Sequence, residues 1–160
     1  MRPLLPFRLV VTLLGAAACT NPTAPLTSTA LRLEQPLPTP GTSALRAASV
    51  TYHGELPLVD APSTAAAGQP FEVALTTYGG GCIGEDTTVV DVSGHGADIV
   101  PYQRIYQPPQ GNVGCTLQMR ITRRRVQVLI TETGPATVRV IGRASPGDSL
   151  VSTERSVSIR

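Results

Sequence analysis

Asp91, Ser93 and His95 lie in the stretch Asp91-Val92-Ser93-Gly94-His95 and are the residue types of a nucleophilic triad. A triad needs the serine hydroxyl hydrogen-bonded to the imidazole, with a carboxylate orienting the ring from behind. Spacing of two puts all three on one short strand and turn, which does not build that geometry, and no G-x-S-x-G elbow is present. A polar turn is the expectation. His95 with Glu85, Asp86 and Asp98 could bind a cation only if loops converged, and no EF-hand spacing arranges that. Gly79-Gly80-Gly81 precedes no helical pattern, so it reads as a sharp turn before Cys82 rather than a phosphate cradle. The 13 basic residues are all Arg, so lysine-based covalent chemistry is excluded. The chain is read as non-enzymatic, with no cofactor and no metal site.

Two groups of residues could form a contact surface. Arg120 and Arg123-Arg124-Arg125 are the one cluster of charge. They read either as a contact for anionic headgroups, or as a solvated bend or a sheet edge blunted by charge. Tyr102 and Tyr106, beside the loop Gln107 to Gly114, read as a surface for a protein or a sugar, or as rings packed at strand ends. The candidate binding surface is therefore Tyr102, Tyr106, Arg123, Arg124 and Arg125.

These residues need elements to hold them, and the pattern is β throughout. Phe71, Val73 and Leu75 alternate with polar or small neighbours. So do Leu117, Met119 and Ile121, then Val126, Val128 and Ile130, then Ala136, Val138 and Val140, and finally Val157 and Ile159. Period 2 with one apolar phase predicts half-buried strands. Turn signals separate them at 67–70, 79–81, 93–96, 108–114, 134–135 and 145–148. About seven short strands over residues 50–160 predict an antiparallel β-sandwich.

The N-terminal part differs. Arg2 and Arg8 precede an apolar run from Leu9 to Ala18, interrupted only by Thr12. The run is too short to span a bilayer, which takes about 20 residues, and has the shape of a cleavable signal peptide over residues 1–18. Residues 19–49 carry prolines at 22, 25, 36, 38 and 40 and no sustained period, so they read as a disordered tether. As a coil they would hold the domain roughly 30 Å from their start. Without Arg2 and Arg8, 11 Arg face the chain's 11 acidic residues. That balance gives no field to attract nucleic acid.

The stretch Leu13-Leu14-Gly15-Ala16-Ala17-Ala18-Cys19 resembles a bacterial lipoprotein signal. Ala16 stands where that family usually has Leu, and Ala16-x-Ala18 also fits an ordinary cleavage site, so a soluble secreted chain with a spare thiol is the alternative. The resemblance implies lipidation at Cys19, membrane anchoring through that lipid and, from Thr20, an outer-membrane address. With Cys19 lipidated, Cys82 and Cys115 remain as a pair, which an oxidising compartment lets form a disulfide. They carry no CxxC or neighbouring His pair that would suggest a metal site. Closing that loop would stabilise the fold by roughly 3–4 kcal/mol.

Leu58 to Cys82, with its Gly68-Gln69-Pro70-Phe71 turn, resembles the opening of a bacterial immunoglobulin-like domain. Glu132-Thr133-Gly134-Pro135-Ala136-Thr137-Val138-Arg139-Val140 resembles that family's late turn and strand. Ala136 replaces the usual aromatic, and the chain has no Trp. The resemblance implies an all-β, antiparallel immunoglobulin-like β-sandwich. It also implies that strands near 70–78 and 115–122 are antiparallel neighbours, with both cysteines at one end. The expectation for function is a membrane-anchored cell-envelope lipoprotein, a non-catalytic binding or adhesion module with envelope proteins or glycans as partners. The alternatives are an accessory subunit of an envelope complex and an enzyme with an unrecognised site.

Overall fold

The computed structural model describes Leu33 and residues 36–109 and 114–160. Cys19 and the signal-like segment lie outside the described residues. Among the described residues ten strands form: β1 (Ser43–Ala47), β2 (Ser49–Tyr52), β3 (Val59–Asp60), β4 (Thr64–Ala65), β5 (Phe71–Gly80), β6 (Ile83–Ser93), β7 (Gly96–Tyr106), β8 (Met119–Val128), β9 (Gly134–Ser145) and β10 (Leu150–Ile159). Among the described residues no helix is long and apolar enough to cross a membrane.

The strands join one sheet in the order β1-β7-β6-β5-β2-β9-β10-β4, with β3 and β8 added onto β5. β7 also pairs with β9, which closes β7, β6, β5, β2 and β9 into a five-stranded mixed β-barrel. The fold is all-β as expected. The antiparallel immunoglobulin-like sandwich of about seven strands is not what forms, because β2–β9, β7–β9 and β4–β10 run parallel. Period 2 reports which face of a strand is buried. It carries nothing about the direction of the neighbour, and that is where the expectation went wrong.

One of the parallel pairings, β2–β9, begins in a segment read as tether. Ser43–Ala47 runs antiparallel to β7, and beyond Ala48 the same stretch turns to pair in parallel with β9. Ala48 makes the switch: its N–H donates to Pro101 O (2.7 Å) and its carbonyl accepts from Arg143 N (2.8 Å). Small residues permit this approach. A Cβ on Gly142 would lie 2.7 Å from the Ala48 carbonyl. The folded domain therefore begins by Ser43 rather than at Val50. Leu33 packs on the Ala47, Val100 and Tyr102 cluster, and its carbonyl accepts from Arg143 Nη2 (2.6 Å). Arg143 and Arg46, both buried, converge on Asp148 in the β9–β10 turn.

The main core gathers Phe71, Val73 and Leu75 of β5, Ile99 of β7, Val128 of β8, Val138 and Val140 of β9, and Val157 and Ile159 of β10. Each large aliphatic chain taken out of water contributes about 1.5–3 kcal/mol. β8 corrects a second expectation. It is one continuous strand, antiparallel to β5 from Phe71↔Val128 to Gly80↔Met119. One strand holds one phase. Because Val126 and Val128 face inward, Arg124 and Thr122 must too, and Met119 and Ile121 face outward. Leu117, Met119 and Ile121, expected in the core, are 103%, 43% and 61% exposed.

Candidate functional site

The arginine run does not act as one patch. Its register against β5 is Thr76↔Arg123, Leu75↔Arg124 and Ala74↔Arg125, so alternate side chains take opposite faces. Arg123 reaches out to Asp60 (3.2 Å) and Arg125 to Glu72 (3.6 Å), both as exposed ion pairs. Such pairs contribute at most about 1 kcal/mol.

Arg124 points into the barrel and is buried. Its partners come from three strands. Nε donates to Thr77 Oγ1 (3.3 Å). Nη1 donates to the carbonyls of Asp86 (2.9 Å) and Thr87 (3.2 Å) and to Thr88 Oγ1 (3.2 Å). Nη2 donates to the Tyr102 carbonyl (2.8 Å). The reason lies in β6, whose ladder with β7 is broken between Glu85 and Thr88. A bulge leaves backbone groups without ladder partners, and a buried unpaired carbonyl is costly. The fork of guanidinium donors fills that gap. Burial pulls the Arg124 guanidinium below its ordinary value, while Glu85 and Asp86 pull it back up. Glu85 also accepts from the Thr122 hydroxyl across the same seam.

Gln103 closes a second weak seam. β2 and β5 share one paired position, Ser49↔Tyr78. The buried Gln103 amide donates to Tyr78 O (2.7 Å) and accepts from Ser49 N (3.2 Å).

The expected binding surface is thus split by burial. Tyr102 and Arg124 are interior residues; Tyr106, Arg123 and Arg125 remain exposed. Cys82 and Cys115 stand at disulfide distance, with Cα atoms 5.2 Å apart. Cys82 follows the end of β5 and Cys115 precedes the start of β8, its antiparallel neighbour, so the juxtaposition survives although the fold class does not. The glycine run explains itself here. Gly80 and Gly81 have positive φ, and a Cβ on either would collide with the Gln118 or Thr116 carbonyl of the segment leading into β8.

The triad candidates are not assembled. Among the described residues no hydrogen bond joins Asp91, Ser93 and His95. His95 pairs with Glu132 (3.2 Å) and stands largely in solvent, while Asp98 grips Arg139 through two bonds of 2.9 and 2.6 Å. Among the described residues no three His, Cys, Asp or Glu side chains are grouped to hold a metal.

A site does form where the sequence showed only core and turn. A cleft of about 520 Å³ opens between the start of β6 and the start of β8, over Gly80, Gly81 and Gly84, with Ile83, Met119 and Ile121 as walls and Arg120 at its rim. A smaller groove of about 220 Å³ adjoins it, lined by Tyr52, Tyr78 and Leu117. The Tyr52 and Tyr78 rings stack there with centroids 5.8 Å apart. The alternating Leu117, Met119 and Ile121 were the signal, assigned to the wrong face.

The fold and site together define an all-β domain with an arginine-braced interior and a glycine-floored cleft beside a sheet edge. No protein family, curated protein or solved structure matches the chain.

Proposed function

We propose that this protein is an exported, lipid-tethered, non-catalytic binding module of a bacterial cell envelope, taking its ligand on the outer face of β8. The observation that carries the binding part is the exposure of Leu117, Met119 and Ile121 beside an open cleft. Neighbouring apolar side chains left in water mark an interaction surface more often than a fault in packing. The disulfide pair and the two closely covered glycines hold that strand in place. The export and anchoring parts rest on the sequence before Cys19 and on the odd cysteine count.

The test is the intact mass of the mature protein from native membranes, before and after reduction. The proposal expects a chain starting at Cys19 plus acyl groups, gaining two hydrogens on reduction. A chain without acyl mass, recovered from the soluble fraction, would refute the anchor.

A further inference from the structure

We propose that the end of the barrel formed by the β9–β10 turn and the starts of β6 and β8 lies on the membrane surface, its exposed apolar side chains seated among the phospholipid headgroups. This names the lipid bilayer as the partner of the binding face proposed above and rests on that reading.

The register sets which residues share that end. β5 stops at Gly80 opposite Met119, the first residue of β8, and Ile83, the first of β6, pairs with Ile105 near the end of β7. β9 ends at Ser145 beside Tyr52, and Leu150 opens β10 opposite Arg143. At or beside this rim Leu56, Tyr106, Leu117, Met119, Ile121 and Leu150 are between 41% and 103% exposed. The opposite end, at the β6–β7 turn and past the end of β8, shows Val92 and Leu129. A lone exposed leucine carries no meaning. Large apolar side chains gathered at one end of a barrel mark a surface that something covers.

The path of the chain picks out the bilayer. The Leu33 carbonyl accepts from Arg143 Nη2 (2.6 Å), and Nη1 of the same guanidinium donates to the Asp148 carbonyl (2.8 Å) in the β9–β10 turn. The tether therefore joins the body at the rim that carries the apolar side chains. Fourteen residues separate Leu33 from Cys19. A coil of that length reaches roughly 20 Å. β7, with 11 residues, is about 36 Å long. A lipid on Cys19 thus brings this end of the barrel to the bilayer and leaves the far end a strand length above it. Held within reach in this way, the rim meets the surface at high local concentration. No such constraint delivers a soluble partner or a second copy to it.

The contact is apolar rather than electrostatic. Arg46 and Arg143 share Asp148, and Arg104 pairs with Asp86, so these cations are largely neutralised within the chain. Leucine, methionine and isoleucine gain by leaving water at the boundary between headgroups and acyl chains. A tyrosine ring such as that of Tyr106 suits the same layer.

The chain has no Trp, so one introduced Trp reports its own surroundings. The experiment couples the mature chain, with Cys82 and Cys115 joined, through the Cys19 thiol to maleimide-bearing lipid in phosphatidylcholine vesicles. Part of the lipid is brominated on the acyl carbons nearest the headgroup. Leu117→Trp should lose about half its emission or more to the brominated lipid, and Leu129→Trp at the far end less than about a tenth, because interfacial side chains reach that depth and no farther. Adding Met119→Asp and Ile121→Asp should restore the Leu117→Trp emission. The circular dichroism spectrum should not change, since both side chains stand in solvent. High salt should alter neither value. Equal quenching at the two positions, none at Leu117→Trp, quenching that survives the double substitution, or quenching lost in high salt would each overturn the proposal. So would an emission from uncoupled Leu117→Trp that moves to the blue with protein concentration in the absence of vesicles, which would give the rim to a second copy. The maleimide link replaces the native lipid, so the membrane seat and the acylation of Cys19 fail independently.

Discussion

Three strands change character as they run through the barrel, and the two regions they cross are held by different physics. Along β5 the inward positions are Phe71, Val73 and Leu75, then Thr77. Along β8, read from its end, they are Val128 and Val126, then Arg124 and Thr122. Along β7 they are Ala97 and Ile99, then Pro101 and Gln103. The first region is an apolar cluster, where burial stabilises without regard to direction and Val or Ile serve alike. The second is a polar lattice, where each donor meets a particular carbonyl. Its ladders are the poor ones: one paired position between β5 and β6, one between β2 and β5, and a break in β6–β7. Side chains from Arg124 and Gln103 make the bonds that backbone does not. The apolar region thus supplies stability, and the polar region fixes how the strands close.

The comparison can be broken from either side. The largest loss is expected from the apolar region. Leu75→Ala, at a fully buried position, should cost about 4 kcal/mol by lost transfer energy and a cavity, measured as a shift in urea midpoint. Arg124→Met comes next at about 3 kcal/mol. Methionine keeps the bulk but strands the Asp86, Thr87 and Tyr102 carbonyls. A value near zero would mean that water replaces the guanidinium and that no lattice exists. Gln103→Leu orphans the Tyr78 carbonyl and the Ser49 N–H, and should cost about 2 kcal/mol. Faster hydrogen exchange confined to β2 and the end of β5 would locate the damage.

The smallest effect is a pH dependence. The Thr87 N–H, then the Arg104 guanidinium, hold the Asp86 carboxyl below its ordinary value of 3.8 against the opposing pull of burial. A depressed pKa stabilises the fold above the unfolded value and loses that contribution as pH falls through the folded one. Asp86→Asn should therefore be less stable than the parent at neutral pH, and the difference should shrink in acid below pH 3.8. A difference that grows in acid would reverse the assignment.

The same contrast governs what could be read from the chain. The apolar region was legible because period 2 writes buried faces directly, and Phe71, Val73, Leu75, Val138, Val140, Val157 and Ile159 are where the alternation puts them. The polar region was not. An arginine at an inward position looks like a break in phase, so β8 read as two strands with a bend between them. That error turned Leu117, Met119 and Ile121 inward and hid the cleft. The bulge that calls for Arg124 lies between Glu85 and Thr88, on another strand, and no spacing within 119–128 signals it. The β1–β7 pairing and the parallel β2–β9 pairing were hidden in 43–52, whose first residues resemble in Ala and Ser content the segment before them. Of the two readings of Tyr102, contact surface or packed ring, the packed one holds, and it could not be chosen beforehand because its neighbours in the core, Ala47 and Leu33, belong to that stretch and the segment before it.

The central claim is that three consecutive arginines divide into one interior brace and two surface arms. Urea denaturation of the parent chain beside Arg124→Met, Arg123→Met and Arg125→Met tests it most directly. The account predicts a loss of about 3 kcal/mol for Arg124→Met and changes within about 0.5 kcal/mol for the other two. Three equal shifts, large or small, would contradict it, because the run would then be a single charged surface and the barrel would close by some other means.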